Sequence, residues 1–220
     1  MKIVAVVPIK LNNQRCPGKN IRKFDDGTPL VHLILDTLLK VPELDEIYVY
    51  CSDKVIKEYL PIGVNFLERT PLLDRDETKG NEILQCFLED VDADIYVLTH
   101  TTAPFTTAHS ISDCIDKVKA GDYDSAFLAK KETVFLWEDG NPLNYNPLDI
   151  PRTQDLRPIY TEGSGAYVFS RNTFLEYHSR IGATPYIHEI GEIESIDIDY
   201  EEDFVIANAV YMDLKRKGLK

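Results

Sequence analysis

The hydropathy pattern begins with an unbroken apolar run, Ile3-Val4-Ala5-Val6-Val7, closed by Pro8. A strand with no polar alternation is one covered on both faces, as in a parallel sheet. A polar loop without apolar periodicity follows over residues 10–20. Over 30–39 the period becomes helical, with Leu30, Leu33, Ile34 and Leu38 on one face. Ile47-Tyr48-Val49-Tyr50-Cys51 reads as a second strand, after which Ser52 or Asp53 can cap a short helix. Val64-Asn65-Phe66-Leu67 is a third strand. Residues 78–88 form a helix with Ile83, Leu84, Phe87 and Leu88 on one face. Asp94-Ile95-Tyr96-Val97-Leu98 is a fourth strand, followed by a helix to about residue 119 that Thr106 or Thr107 caps. Ser125-Ala126-Phe127-Leu128-Ala129 is a fifth strand. Strand and helix alternating at this spacing predict a doubly wound, mostly parallel, Rossmann-like α/β sheet.

The rhythm breaks over 130–163, which holds Trp137, four prolines and Asp139-Gly140-Asn141. This segment reads as an insertion with a hairpin at 138–141. Ala166-Tyr167-Val168-Phe169 returns to strand, and a short helix is expected over 172–177. Ser195-Ile196-Asp197-Ile198-Asp199 alternates like a short strand or strand edge. The last helix, 203–217, has a basic final turn that suits its dipole.

Composition narrows the function classes. A length of 220 residues suits one α/β domain, 1–220, with the insertion inside it. The net charge of −13 argues against a nucleic-acid binder but not against a nucleotide site, which needs only local cations. The four cysteines, Cys16, Cys51, Cys86 and Cys114, form no C-x-x-C pair, which disfavours zinc. Their spacing predicts buried thiols in a reducing compartment, with Cys16 the exception because it stands in the polar loop. No apolar run is long enough to span a bilayer or laid out as a signal peptide, so a soluble, cytoplasmic protein is expected.

Two segments carry candidate chemistry by residue type alone. The loop after the first strand, Pro8 to Asn20, holds Lys10, Arg15 and Lys19, with Gly18 allowing close backbone approach. It starts where open α/β sheets place their ligand crevice, and its cations suit a triphosphate. It also reads as a solvated loop with a Pro-Gly turn, and it matches neither common phosphate-loop signature. Asp197 and Asp199, at i and i+2, project from one face of an extended chain and could hold Mg²⁺ with phosphate oxygens, or simply cap the last helix.

Val6-Val7-Pro8, followed by Pro17-Gly18-Lys19-Asn20-Ile21, resembles the N-terminal signature of the acylneuraminate cytidylyltransferases, the CMP-sialic acid synthetases. Five further segments carry the same resemblance. They are Glu68-Arg69-Thr70-Pro71, Thr102-Ala103-Pro104 after His100 and Thr101, Arg152-Thr153-Gln154-Asp155-Leu156, and Ser164-Gly165-Ala166; Ser195 to Asp203 resembles the family's late aspartate stretch. The chain departs from the pattern at Gln14-Arg15, where a glycine is lost. It departs again at Thr70, an extra residue, and at His100, Thr106 and Ser164, which stand for glutamine, arginine and asparagine.

The resemblance implies transfer of CMP from CTP to an acidic 2-keto-3-deoxy sugar, such as a sialic acid-like nonulosonic acid, with pyrophosphate released. It implies a nucleotide site made of Pro8, Lys10, Asn12, Arg15, Gly18, Lys19, Asn20 and Arg69, and Mg²⁺ on Asp197 and Asp199. Catalytic roles fall to Lys10, Lys19 and Asp199, and acceptor contacts to His100, Thr101, Thr102, Arg152, Gln154 and Ser164. His100 could bind the acceptor or act as a base. Residues 130–163 would form the arm of a homodimer, in which Phe135, Leu136 and Trp137 either face a partner or fill the hairpin's own core. The family implies a place in surface polysaccharide biosynthesis. Two other readings are a cytidylyltransferase for an octulosonic acid or a non-sugar phosphate or phosphonate, and a nucleotide-binding protein without turnover.

Overall fold

The computed structural model describes residues 1–219. Its elements in chain order begin with β1 (Ile3–Ile9), α1 (Leu30–Leu38), β2 (Glu46–Cys51), β3 (Asn65–Glu68) and α2 (Gly80–Asp90). Next come β4 (Ile95–Thr99), α3 (Ala108–Ala120), β5 (Ser125–Glu132), β6 (Trp137–Glu138) and β7 (Asn141–Pro142). The chain closes with β8 (Ile159–Ser170), α4 (Arg171–Tyr177), β9 (Pro185–Ile190) and α5 (Glu201–Arg216). Among the described residues, seven strands form one sheet in the order β3-β2-β1-β4-β8-β5-β9. β8 runs antiparallel to both neighbours, and every other pairing is parallel. The mostly parallel doubly wound sheet expected from the alternation is therefore present.

The two faces of the sheet bury different clusters. Val7, Val49 and Val97 pack against Ile34, Leu35 and Ile111 on one side. Tyr50, Tyr96 and Phe169 meet Leu84 and Phe87 on the other. Full burial of β1 and β4 explains why their sequences show no polar alternation. Helix α1 is buried on two sides, because Leu30 and Leu33 face a third cluster with Phe204 and Tyr211 of α5. Thr107 caps α3, accepting from the Ser110 amide at 3.1 Å, and Asp53 caps the 3₁₀ turn after β2. Thr106, the alternative cap, is fully buried.

Three expectations change. Residues 195–199 form no strand: Ser195 closes a turn onto the Gly191 carbonyl, and the Ile198 amide donates to the Thr102 carbonyl at 2.8 Å outside any ladder. The alternation there reports side-chain direction, with Ile198 wholly buried between two polar residues, rather than membership of the sheet. β9 is an element the hydropathy pattern does not indicate. It is an edge strand opened by Pro185 and mostly half-buried, so its period is weak. Cys16 is fully buried beneath the loop, 3.8 Å from an Arg22 nitrogen, and burial pushes its thiol pKa up.

The insertion is narrower than its composition suggests. β5 continues to Glu132 and pairs with Ile159 to Glu162 of β8, so 130–132 and 159–163 belong to the sheet. The intervening residues form an arm. Its β6–β7 hairpin turns through Asp139 and Gly140, both with positive φ, 47° and 79°, as a two-residue type I′ turn requires. Among the described residues no helix is long and apolar enough to cross a membrane.

Candidate active site

β1 and β4 are adjacent and in parallel register, with Val6 opposite Leu98. Continuing that register sets Pro8, still within β1, beside His100, the first residue beyond β4. The residues just beyond β4 then form a hub. The His100 Nδ1 lies 2.8 Å from the Ser164 carbonyl oxygen on β8. The Thr101 hydroxyl donates to Asn20 Oδ1. The Thr102 carbonyl accepts from the Ile198 amide. Three consecutive residues thus tie together the first loop, the glycine-rich start of β8's buried half and the late aspartates.

Gly18 adopts φ +67°, ψ 13° and opens the 3₁₀ turn Lys19–Ile21. That left-handed conformation is where glycine is favoured, and it turns Lys19 inward. The Lys19 Nζ reaches the Ile198 carbonyl at 2.6 Å and Asp199 Oδ1 at 3.2 Å. Arg15 takes the other Asp199 oxygen at 2.9 Å. Asp197 accepts from the Ser164 hydroxyl through Oδ1 at 2.9 Å. The cationic loop therefore meets Asp199 directly, while Asp197 is tied to β8 through Ser164. Lys10 pairs with Asp76 at 3.0 Å and holds that carboxyl below its usual range, while Gln14 binds the same carboxylate.

Two cavities meet at Lys10. One, of about 390 Å³, is lined by Lys10, Asn12, Arg15, Lys19 and Asp76. The other, of about 220 Å³, is lined by Pro8, Lys10, Arg69, Arg75, His100 and Arg180. Arg69 is buried at 3% exposure. Its NH2 binds Asp74 at 2.6 Å, while Nε and NH1 have no hydrogen-bond partner among the described residues. A buried guanidinium with unused donors beside a cavity is costly unless a ligand supplies acceptors.

The sequence-derived site residues divide into groups. Pro8, Lys10, Asn12, Arg15, Lys19, Arg69 and His100 line the cavities. Asn20 and Thr101 lie behind them as supports, 4% and 3% exposed. The Asn20 amide donates to the Lys10 carbonyl at 2.7 Å, which holds the root of the loop. Arg152 and Gln154 are not brought to this crevice. They sit exposed on the arm, and Arg152 forms its ion pair at 2.7 Å with Asp155 of the same turn. Asp76, Arg75 and Arg180 are site residues that sequence reasoning missed. Arg180 lies 3.6 Å from the centre of the Tyr167 ring and pairs with Glu162 at 3.0 Å. Only the contacts of distant segments mark it, because its sequence neighbours carry no motif.

Burial lowers the pKa of His100, and the cations Arg180 and Lys19 act in the same sense, against the Ser164 bond and Asp197. Burial also raises the Tyr167 phenol, whose hydroxyl donates to Glu162 at 2.6 Å.

The open α/β sheet, with cations and carboxylates gathered at its strand ends, has the α/β nucleotidyltransferase fold. The fold matches a solved CMP:2-keto-3-deoxy-manno-octonic acid synthetase in complex with CTP, with a TM-score of 0.73 and 16% identity, covering 97% of this chain and 99% of that one. A cytidylyltransferase family model matches residues 4–217, and the chain belongs to that family. It is 24% identical to the N-acylneuraminate cytidylyltransferase of Streptococcus agalactiae serotype V, over 93% of this chain and 52% of the relative. The chain thus spans about half the length of that relative. It is 23% identical to the CMP-N,N'-diacetyllegionaminic acid synthase of Legionella pneumophila, over 100% of both.

Proposed function

We propose that this chain transfers CMP from CTP to an acidic 2-keto-3-deoxy sugar of the nonulosonic acid class, with release of pyrophosphate. The observation that carries the reading is the convergence of Lys19, Arg15 and Asp199 across the crevice that Lys10 also lines. The triphosphate takes the larger cavity. There Lys10 exchanges Asp76, and Arg15 and Lys19 exchange Asp199, for phosphate oxygens; a guanidinium and ammonium groups suit such acceptors. The base takes the smaller cavity, where the unpartnered Nε and NH1 of Arg69 offer donors to its edge.

Asp197 and Asp199 fit Mg²⁺ by donor chemistry. Both supply only oxygen, Asp197 uses one oxygen in its bond to Ser164, and Asp199 meets the cations of the phosphate loop. Bound there with phosphate oxygens, Mg²⁺ would neutralise charge as pyrophosphate departs. Positioning and charge compensation by Lys10, Arg15 and Lys19 supply the remainder, as in other phosphoryl-type transfers.

His100 and Arg180 beside the base cavity favour a second reading in which the acceptor differs, an octulosonic acid or a non-sugar phosphate or phosphonate. The arm supports a homodimer through its exposed apolar residues, Trp137, Leu148 and Ile150. In such a dimer the arm could carry Arg152 and Gln154 to another subunit's crevice. Pyrophosphate release from CTP, measured across a panel of acceptors with and without Mg²⁺, tests the reading. Mg²⁺-dependent release with a nonulosonic acid is expected. No release with any ulosonic acid would reject it, and release with a phosphonate alone would establish the second reading.

A further inference from the structure

We infer that His100 is the base that takes the proton from the attacking acceptor hydroxyl, through Nε2, while Ser164 holds the ring. The inference rests on the cytidylyl-transfer reading and adds to it the residue that moves the proton.

The tautomer follows from the ring's partner. The Nδ1 lies 2.8 Å from the Ser164 carbonyl oxygen. A carbonyl oxygen only accepts, so Nδ1 carries the hydrogen and a neutral ring keeps its lone pair on Nε2. The ring lines the cavity of about 220 Å³ together with Lys10, which also lines the triphosphate cavity. With the nucleobase drawn to Arg69 in that cavity, an acceptor approaching the α-phosphate at its Lys10 end would meet this imidazole.

The charges around the ring suit a base. Arg180 and Lys19 face it and disfavour the imidazolium, and burial acts in the same direction. Lys10, Arg69 and Arg75 add positive charge along the same cavity. Tyr167 stands edge-on, its ring centre 6.4 Å away, with its hydroxyl occupied by Glu162. Opposing these, Asp197 favours the protonated ring and is tied to the same residue, Ser164, that orients it. The balance of these groups favours the neutral ring. Glutamine, the residue the resemblance places here, has no such lone-pair nitrogen.

The step balances. The hydroxyl oxygen forms a bond to the α-phosphorus, and the bond from that phosphorus to the β-phosphate's bridging oxygen breaks. The electron pair leaves on pyrophosphate, and the hydroxyl proton passes to Nε2. The imidazolium returns its proton to water after the products depart.

The test compares wild type with His100→Gln and His100→Gly. His100→Gln is expected to bind CTP with Mg²⁺ within about twofold of wild type by calorimetry while its kcat falls about 10²-fold, the size of general-base catalysis. The acidic limb of its kcat profile disappears, and imidazole in the buffer restores part of the rate to His100→Gly. Nitrogen-15 NMR of ligand-free wild type is expected to show the Nδ1–H tautomer. A His100→Gln variant that keeps its rate within about threefold, or an Nε2–H tautomer, overturns the inference. So does a parallel loss of CTP binding and rate, which would make the ring a structural support. A wild type silent with every ulosonic acid overturns the cytidylyl-transfer reading and the base with it, an outcome seen before any variant is made.

Discussion

The hub beyond β4 and the arm between β5 and β8 are both polar excursions from the same sheet, yet they are held in opposite ways. Each hub residue bonds to a different distant segment: His100 to Ser164, Thr101 to Asn20 and Thr102 to Ile198. The arm bonds mainly to itself. Asn144 donates to the Val134 carbonyl at 2.8 Å and accepts from the Leu136 amide at 2.9 Å, and Phe135 packs on Tyr145 with ring centres 4.4 Å apart. Residues joined by long-range bonds are positioned by the whole fold and open only when much of it opens. A self-bonded excursion can move as a unit. The hub is therefore suited to hold a charged ligand rigidly, and the arm to meet another surface.

Removing Lys19 should separate the two regions most sharply. Lys19→Ala is expected to lower turnover about 10³-fold, roughly 4 kcal/mol of transition-state stabilisation, because the buried ammonium is lost and Asp199 keeps only Arg15. Steady-state kinetics check this, and a loss below about tenfold would deny Lys19 a central role. Next in size is the support beneath the hub. Phe87 is fully buried against Tyr50 and Tyr96, so Phe87→Ala should cost about 3–5 kcal/mol in denaturant unfolding.

A third effect probes α5, which backs the aspartate stretch. Burial alone would raise the Asp26 pKa. Hydrogen bonds from Lys215, Thr28 and Tyr211 outweigh it and hold the carboxyl down to about 2, against an ordinary 3.8. A carboxyl depressed in the folded state contributes stability above its unfolded pKa and loses it as pH falls through the folded one. The contribution, about 1–2 kcal/mol, should be complete above about pH 4 and vanish toward pH 2. Asp26→Asn should lower stability at neutral pH by that amount and flatten the acid limb, as unfolding curves at several pH values would show.

The smallest effect belongs to the arm. Trp137 is 57% exposed, so Trp137→Ala should change unfolding free energy by less than about 0.5 kcal/mol. A larger loss would mean the arm is part of the cooperative fold. If the arm joins two copies, the same variant should weaken self-association in sedimentation at unchanged monomer stability.

Much of this molecule was legible without coordinates. Period and burial are local properties, so the unbroken apolar β1 and β4, the amphipathic α2 and α3 and the Asp139-Gly140 hairpin could each be read from a few neighbouring residues. The cationic loop and the aspartate pair were legible as residue types, since few side chains supply cations or oxygen-only donors. Sequence could not decide which of these residues touch a ligand. Asn20 and Thr101 look like ligand contacts on the line, but the fold turns them inward as supports. Arg180 looks like an ordinary loop residue, but its cation is brought over Tyr167 beside His100. The strand-like alternation around Ile198 lies outside the sheet, because a buried side chain and bonds to Thr102 and Lys19 anchor it without a ladder. Those outcomes depend on contacts between segments tens of residues apart or more, and only chain closure into the sheet creates them.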